Sequence, residues 1–271
     1  MAPTIAPIVS PDDIPPGAVM CDVRFYLDGT DARAAYRASH IPGAIFVDMD
    51  AHLALPASPE LGRHPMPSAE AFAQSMGGLG IGHDTVVVAY DDRDGMGAGR
   101  LVWMLRILGS PAALLDGGLQ GWSGPLESGT NQLDPVDHPP RQWPQAKMVD
   151  ADETAQLALA DNAVVLDARA PERYRGETEP IDPRAGHIPG AVNAPFSANL
   201  SEGRFKDAAA LADGYARLGV EPGADVVVYC GSGVSACHNL LALESIGIDA
   251  RLYPGSWSQW SNDPNRPAAT G

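Results

Sequence analysis

Four short blocks of this 271-residue chain occur twice, in the same order. CDVR at 21–24 returns as LDAR at 166–169, and SHIPGA at 39–44 as GHIPGA at 186–191. The run TVVVAYD, ending at Asp91, returns as DVVVYC, ending at Cys230, and GGLQGW at 117–122 returns as GSWSQW at 255–260. The displacements lie between 138 and 147 residues. Loop insertions in a duplicated unit produce that drift, so the chain is expected to fold as two similar units. Its length, about twice that of an ordinary domain, agrees.

Each copy reads as an alternating α/β unit. AVVLDAR and DVVVYC are short, apolar and β-branched, suiting strands buried on both faces of a parallel sheet. Beyond Cys230, the stretch 235–246 places Ala236, Leu240, Leu243 and Ile246 at helical spacing, with Gly247 as the stop. The matching helix in the first copy is 98–108, stopped by Gly109. Between the copies, 123–144 is rich in Pro, Gly and polar residues without apolar period, and reads as a linker. The expected divisions are a first domain at 1–135, the end of the linker at 136–147 and a second domain at 148–271.

Charge and composition narrow the function classes. With 18 Lys and Arg against 34 Asp and Glu, the net charge is −16, which lacks the basic surplus a nucleic-acid backbone requires. An anionic small molecule would have to be held by local arginines against that field. No run approaches the ~20 apolar residues of a membrane span, and the amino terminus lacks a secretory pattern. Three cysteines are too few for a disulfide framework. A soluble, cytoplasmic protein is expected. Seven histidines yield no metal pattern: His40, His52 and His64 are too widely spaced, and Cys230, Cys237 and His238 match no zinc spacing. No metal and no cofactor are expected.

The chemistry concentrates in YCGSGVSACH at 229–238. A strand ends at Tyr229, a helix starts near Ser235, and Cys230 stands between them, where open α/β sheets place their sites. Gly231 and Gly233 let the backbone curl so that amides of the loop, through Val234 and Ser235, point inward. Such a nest at a helix N-terminus favours negative charge and is expected to make Cys230 react as thiolate. A cysteine phosphatase would need an arginine at position 236, which is Ala236, and a Walker loop would need Gly-Lys-Ser/Thr. Cys237, about one helical turn beyond the nest, reads as packing.

The two copies, both HIPGA blocks and the CGSGVSA loop resemble the tandem-domain rhodanese family of sulfurtransferases. The likeness spans nearly the whole chain apart from the first dozen residues, the linker and the tail. It implies two tandem rhodanese-like α/β domains, each a mostly parallel sheet flanked by helices, with the catalytic cysteine, Cys230, in the second. Asp91 stands at the corresponding place in the first, which is then non-catalytic.

The resemblance also bears on the sulfur donor. Thiosulfate-preferring members carry basic residues after the cysteine, whereas this chain has Gly231 and Ser232 and is closer to the 3-mercaptopyruvate sulfurtransferases. Arg173 falls on the family's substrate-binding arginine, and Arg184 resembles the second carboxylate arginine of the mercaptopyruvate group, at a spacing of 11 rather than 9. Asp167 and Arg169 are expected to brace the loop, and Arg175 to be a surface charge. His64 and Asp50 resemble members of a Ser-His-Asp relay with Ser232, in which His64 takes a proton while Asp50 fixes its tautomer. Trp257 reads as pocket lining or as core. The implied acceptors are cyanide in an assay and a thiol or thioredoxin in a cell. Two alternatives stay open: a thiosulfate:cyanide sulfurtransferase, and a rhodanese-like binding or regulatory module without turnover.

Overall fold

The computed structural model describes residues 5–221 and 223–271, which divide into two compact units. One comprises Met1–Ala54 and Met66–Pro144; the other comprises Leu55–Pro65 and Gln145–Gly271. The short stretch Leu55–Pro65 therefore packs with residues far ahead of it in sequence.

In the first unit, β1 (Ile8–Val9), β2 (Val19–Asp22), β3 (Ile45–Phe46), β4 (Val87–Tyr90) and β5 (Ala112–Leu115) form a parallel sheet in the order β1-β5-β4-β2-β3. Its helices are α1 (Ala32–Ala38), α2 (Met49–His52), α3 (Ala69–Gly78) and α4 (Ala98–Ile107). Every residue of β4 and β5 is buried, as the unbroken apolar runs require of central parallel strands.

The second unit repeats the plan. Here α5 (Ala151–Leu157) leads into β6 (Ala163–Asp167), followed by α6 (Pro171–Tyr174) and β7 (Val192–Asn193). The antiparallel pair β8 (Leu200–Ser201) and β9 (Arg204–Phe205) comes next, and then α7 (Ala208–Ala216). β10 (Asp225–Tyr229), α8 (Ala236–Ser245), β11 (Ala250–Leu252) and α9 (Ser256–Trp260) complete it. The parallel sheet runs β11-β10-β6-β7, so β10 is paired on both sides. Val165, Val227, Tyr229, Tyr253, Trp257 and Trp260 belong to its core.

The repeated blocks are the bracing of each unit. In the first, Arg24 clamps the buried Asp22 through Nε and Nη2 and donates to the Ser39 carbonyl. In the second, Arg169 does the same with Asp167 and the Gly186 carbonyl. His40 Nδ1 donates to the Tyr36 carbonyl at 2.8 Å and stacks on that ring; His187 repeats both contacts with Tyr174. Tyr90 and Tyr229, each the last residue of its strand, accept from the amides of Ile41 and Ile188 through their hydroxyls. The HIPGA histidines are thus tied into turns that hold the strand ends.

The stretch read as a linker is strapped to the first unit. His138 donates to the Ile81 carbonyl, Arg141 to that of Leu108, and Trp143 to that of Pro67. His83 in turn donates to the Pro139 carbonyl. A proline-rich segment without its own hydrogen-bond period is held by such side-chain contacts, which composition does not reveal. Among the described residues no helix is long and apolar enough to cross a membrane.

Candidate active site

β10 delivers Cys230 at the carboxyl end of a strand paired on both sides, and α8 begins six residues later. The backbone between them is drawn toward α9. Trp257 N–H donates to the Cys230 carbonyl at 2.9 Å and Ser258 N–H to that of Gly231 at 2.8 Å. The Cys230 N–H donates to Ser256 Oγ, which donates onward to the Tyr253 carbonyl. Ser256 makes these bonds from φ +54°, a left-handed conformation costly for a residue with a side chain. Gly233, at φ +72°, then turns its N–H back onto Cys230 Sγ at 3.1 Å. Val234 is buried, and Ser235 stands at the N-cap of α8 without a side-chain capping bond. The open helix N-terminus therefore faces the loop that carries the thiol. Cys230 is 1% exposed.

The first unit shows what such a loop does with an anion. After β4, the Asp91 carboxylate accepts four backbone N–H groups at 2.8–2.9 Å, from Arg93 and Gly95 on one oxygen and Gly97 and Ala98 on the other. Those last two amides open α4, which also lacks a side-chain cap of its own. Burial pushes the Asp91 carboxyl up, and the four amides oppose it. Where the second unit presents a thiol, the first has an internal carboxylate occupying its loop amides.

Three arginines surround the Cys230 loop in an ionic lattice. Arg169 is bidentate on Asp167, reaches Glu179, and lies 4.7 Å from the Trp257 ring centre. Burial alone would lower its pKa, but Asp167 and Glu179 hold it above the usual arginine range. Arg173 donates Nε and Nη2 to Glu179 and Nη2 to Asp182. Arg63 donates Nη1 to the other oxygen of Asp182 at 2.6 Å. A Cβ built on Gly231 would lie 3.1 Å from Arg63 Nη2 and 3.6 Å from Arg173 Nη1, so two guanidiniums stand beside the residue next to Cys230. Burial pushes the Asp182 carboxyl up, and Arg63 opposes that.

Arg184 is placed differently from the sequence expectation. Its Nε donates to the Ser261 carbonyl, Nη1 to that of Arg266, and Nη2 to those of Trp260 and Asp263. Four of its N–H groups thus staple the end of α9 and the following turn, which leaves no fork for a carboxylate. Arg184→Ala is expected to cost about 2 kcal/mol in stability, the scale for hydrogen bonds to a charged group, measured by urea unfolding. A loss below a few tenths would show that water replaces those bonds freely.

Ser232 and His64 are both buried and share a hydrogen bond, Oγ to Nδ1, of 2.7 Å, although 168 positions separate them. Asp50 lies on α2, in the other unit, where burial and then Asp48 raise its carboxyl. Trp257 is core, fully buried, with Nε1 donating to the Arg184 carbonyl. Cys237 is buried in α8 against the Gly233 carbonyl. Arg175 pairs with Glu177 at the surface. Among the described residues no cluster of His, Cys, Asp or Glu is arranged to hold a metal ion. Sequence reasoning passed over Arg63, Asp182 and Glu179. The signal available was Arg63 beside His64, and three acids between Arg173 and Arg184, which local pattern reads as solvated charge.

The rhodanese-like domain family matches this chain twice, over residues 14–125 and 150–263. The chain is 43% identical over 261 residues to SseB of Mycobacterium tuberculosis, a protein named for thiosulfate sulfur transfer, covering 92% of this chain and 90% of that one. It is also 43% identical over 267 residues to a Pseudomonas aeruginosa protein named as a probable 3-mercaptopyruvate sulfurtransferase, covering 94% and 93%. Among solved structures, SseA from Escherichia coli superposes with a TM-score of 0.81 at 32% identity, covering 93% of this chain and 99% of that one.

Proposed function

We propose that this chain, which belongs to the rhodanese-like family as a tandem-domain sulfurtransferase, carries sulfur from 3-mercaptopyruvate to a thiol or cyanide through a persulfide on Cys230. The Cys230 thiolate attacks the donor sulfur, and the carbon–sulfur bond breaks toward the keto acid. The enolate so formed takes up the proton that the donor thiol brought, and pyruvate leaves. Cys230 keeps the persulfide anion, stabilised by the Gly233 amide and the N-terminus of α8. An acceptor thiol then attacks the outer sulfur and departs as its own persulfide, and Cys230 returns as thiolate. Cyanide departs in the same way as thiocyanate. Arg173 holds the donor carboxylate, while Asp167 and Arg169 keep the strand end and the Glu179 carboxylate in place. Asp91 fills the equivalent loop of the first domain, which is non-catalytic in this reading.

The observation that carries the choice of donor is the 2.7 Å bond between Ser232 and His64. Mercaptopyruvate leaves as an enolate that needs a proton, whereas thiosulfate leaves as sulfite, which needs none. A buried hydroxyl–imidazole pair beside the nucleophile serves only the first. The small neutral residues Gly231 and Ser232 agree, since a thiosulfate dianion would draw on basic groups there. No role is assigned to Asp50.

Ser232→Ala is expected to lower kcat with mercaptopyruvate about 100-fold, the lower range for a positioned proton-transfer group, while leaving thiosulfate turnover within a few-fold. Parallel kcat/KM measurements with the two donors on parent and variant decide it. Equal losses with both would refute the relay, and a parent strongly preferring thiosulfate would refute the donor.

A further inference from the structure

We infer that Arg63 is the second guanidinium of the donor-binding pair, supplying the carboxylate fork that Arg184, tied to four carbonyls, does not. This rests on the sulfur-donor reading above and extends it to a residue carried by Leu55–Pro65.

Three features of Arg63 point to an anion. Its Nη1 is occupied by Asp182, which orients the group, and its Nη2 stands 3.1 Å from the Cβ position of Gly231. Its Nε is buried and has no hydrogen-bond partner among the described residues. A buried guanidinium N–H left unmatched is costly, and that cost is removed when a ligand oxygen accepts it. Nε and Nη2 together form one edge of the guanidinium, the edge that meets the two oxygens of a carboxylate in parallel. That edge is the one without a partner among the described residues, and its Nη2 end lies beside the residue next to Cys230.

The fork is held in place. Arg63 N–H donates to Ser258 Oγ, and Gln259 Nε2 donates to the Glu60 carbonyl, which lays the segment along α9. Gly62, at φ +90°, has the Gly255 carbonyl 2.7 Å from where a Cβ would sit, so only glycine allows this approach. Asp182 bridges Arg63 and Arg173 through its two oxygens and so sets the spacing of the pair. Arg173 Nη1 and Arg63 Nη2 thus converge on one side of Gly231. Arg63 also lines a groove of about 450 Å³ with Gly62, Asp182 and Ser258, large enough for a small keto acid.

The test compares the parent with Arg63→Ala and Arg63→Lys, using mercaptopyruvate and thiosulfate as donors and pyruvate as a competing product. Arg63→Ala should raise the mercaptopyruvate KM and the pyruvate inhibition constant together, roughly 10- to 100-fold, with kcat within a few-fold. Arg63→Lys keeps the charge without the fork and should remain about 10-fold impaired in KM. Thermal unfolding of both variants checks that the fold survives the loss of the Arg63–Asp182 contact, and the lysine variant decides the outcome if the alanine variant unfolds. A KM and pyruvate constant within twofold of the parent, with persulfide still forming on Cys230, overturns the role of Arg63 and leaves the sulfur-donor reading intact. A parent that takes sulfur from thiosulfate alone overturns the donor reading instead. Arg63 is then judged by thiosulfate KM, which must rise in the same variants.

Discussion

Replacing Cys230 by serine is expected to abolish sulfur transfer from every donor, with a fall of more than about four orders of magnitude in kcat/KM. Serine fits the site: the main-chain bonds of residue 230 to Ser256 and Trp257 do not involve the side chain. What is lost is a polarisable nucleophile able to form a sulfur–sulfur bond. Mass spectrometry of the donor-treated parent should show the increment of one sulfur atom on the peptide bearing Cys230, and the serine variant should show none. The other two thiols are poor substitutes. Burial first, and then Asp22, push the Cys21 thiol far up, and Cys237 is enclosed in α8. Residual turnover in Cys230→Ser, or added sulfur mapping to Cys21 or Cys237, would overturn the assignment and would favour a binding module over an enzyme.

The second large effect is on stability. Arg169→Met should destabilise the second unit by about 3–5 kcal/mol, the range for removing one partner of a buried ion pair. Methionine fills most of the volume but leaves Asp167 as a charge without its bidentate partner, and leaves the Gly186 carbonyl without a donor. Glu179 also loses one of its two arginines, so the orientation of Arg173 loosens with it. Urea unfolding followed by tryptophan fluorescence reads this directly, because Trp257 lies under the guanidinium. A loss below about 1 kcal/mol would mean that water or a neighbouring donor replaces the arginine, and the lattice around Cys230 would not depend on it.

Much of the architecture was legible because its signals are local. The apolar runs at β6 and β10 and the helical spacing in α8 are properties of consecutive residues, and the helix expected at 235–246 forms as Ala236–Ser245. The duplicated blocks were visible as text, and the structure gives their physical reason: each Asp–Arg clamp, each stacked His–Tyr pair and each strand-ending tyrosine occurs once per unit. The arginines were less legible. An arginine's partners are carbonyls and carboxylates many positions away, so motif spacing drew attention to Arg184 and passed over Arg63. The anchoring of the segment at 123–144 was illegible for a related reason, since it lies in side chains reaching distant carbonyls.

By itself, the order of residues determined two parallel α/β units and a cysteine at a strand-to-helix turn. Those follow from periodicity, β-branching and glycine placement within a dozen residues. Only the tertiary structure decided that Leu55–Pro65 joins the second unit, that Ser232 meets His64, and which guanidinium keeps an unpartnered Nε and sets its Nη2 beside Gly231. Each of these depends on a contact between groups more than a hundred positions apart, where chain spacing carries no information and only packing selects the partner.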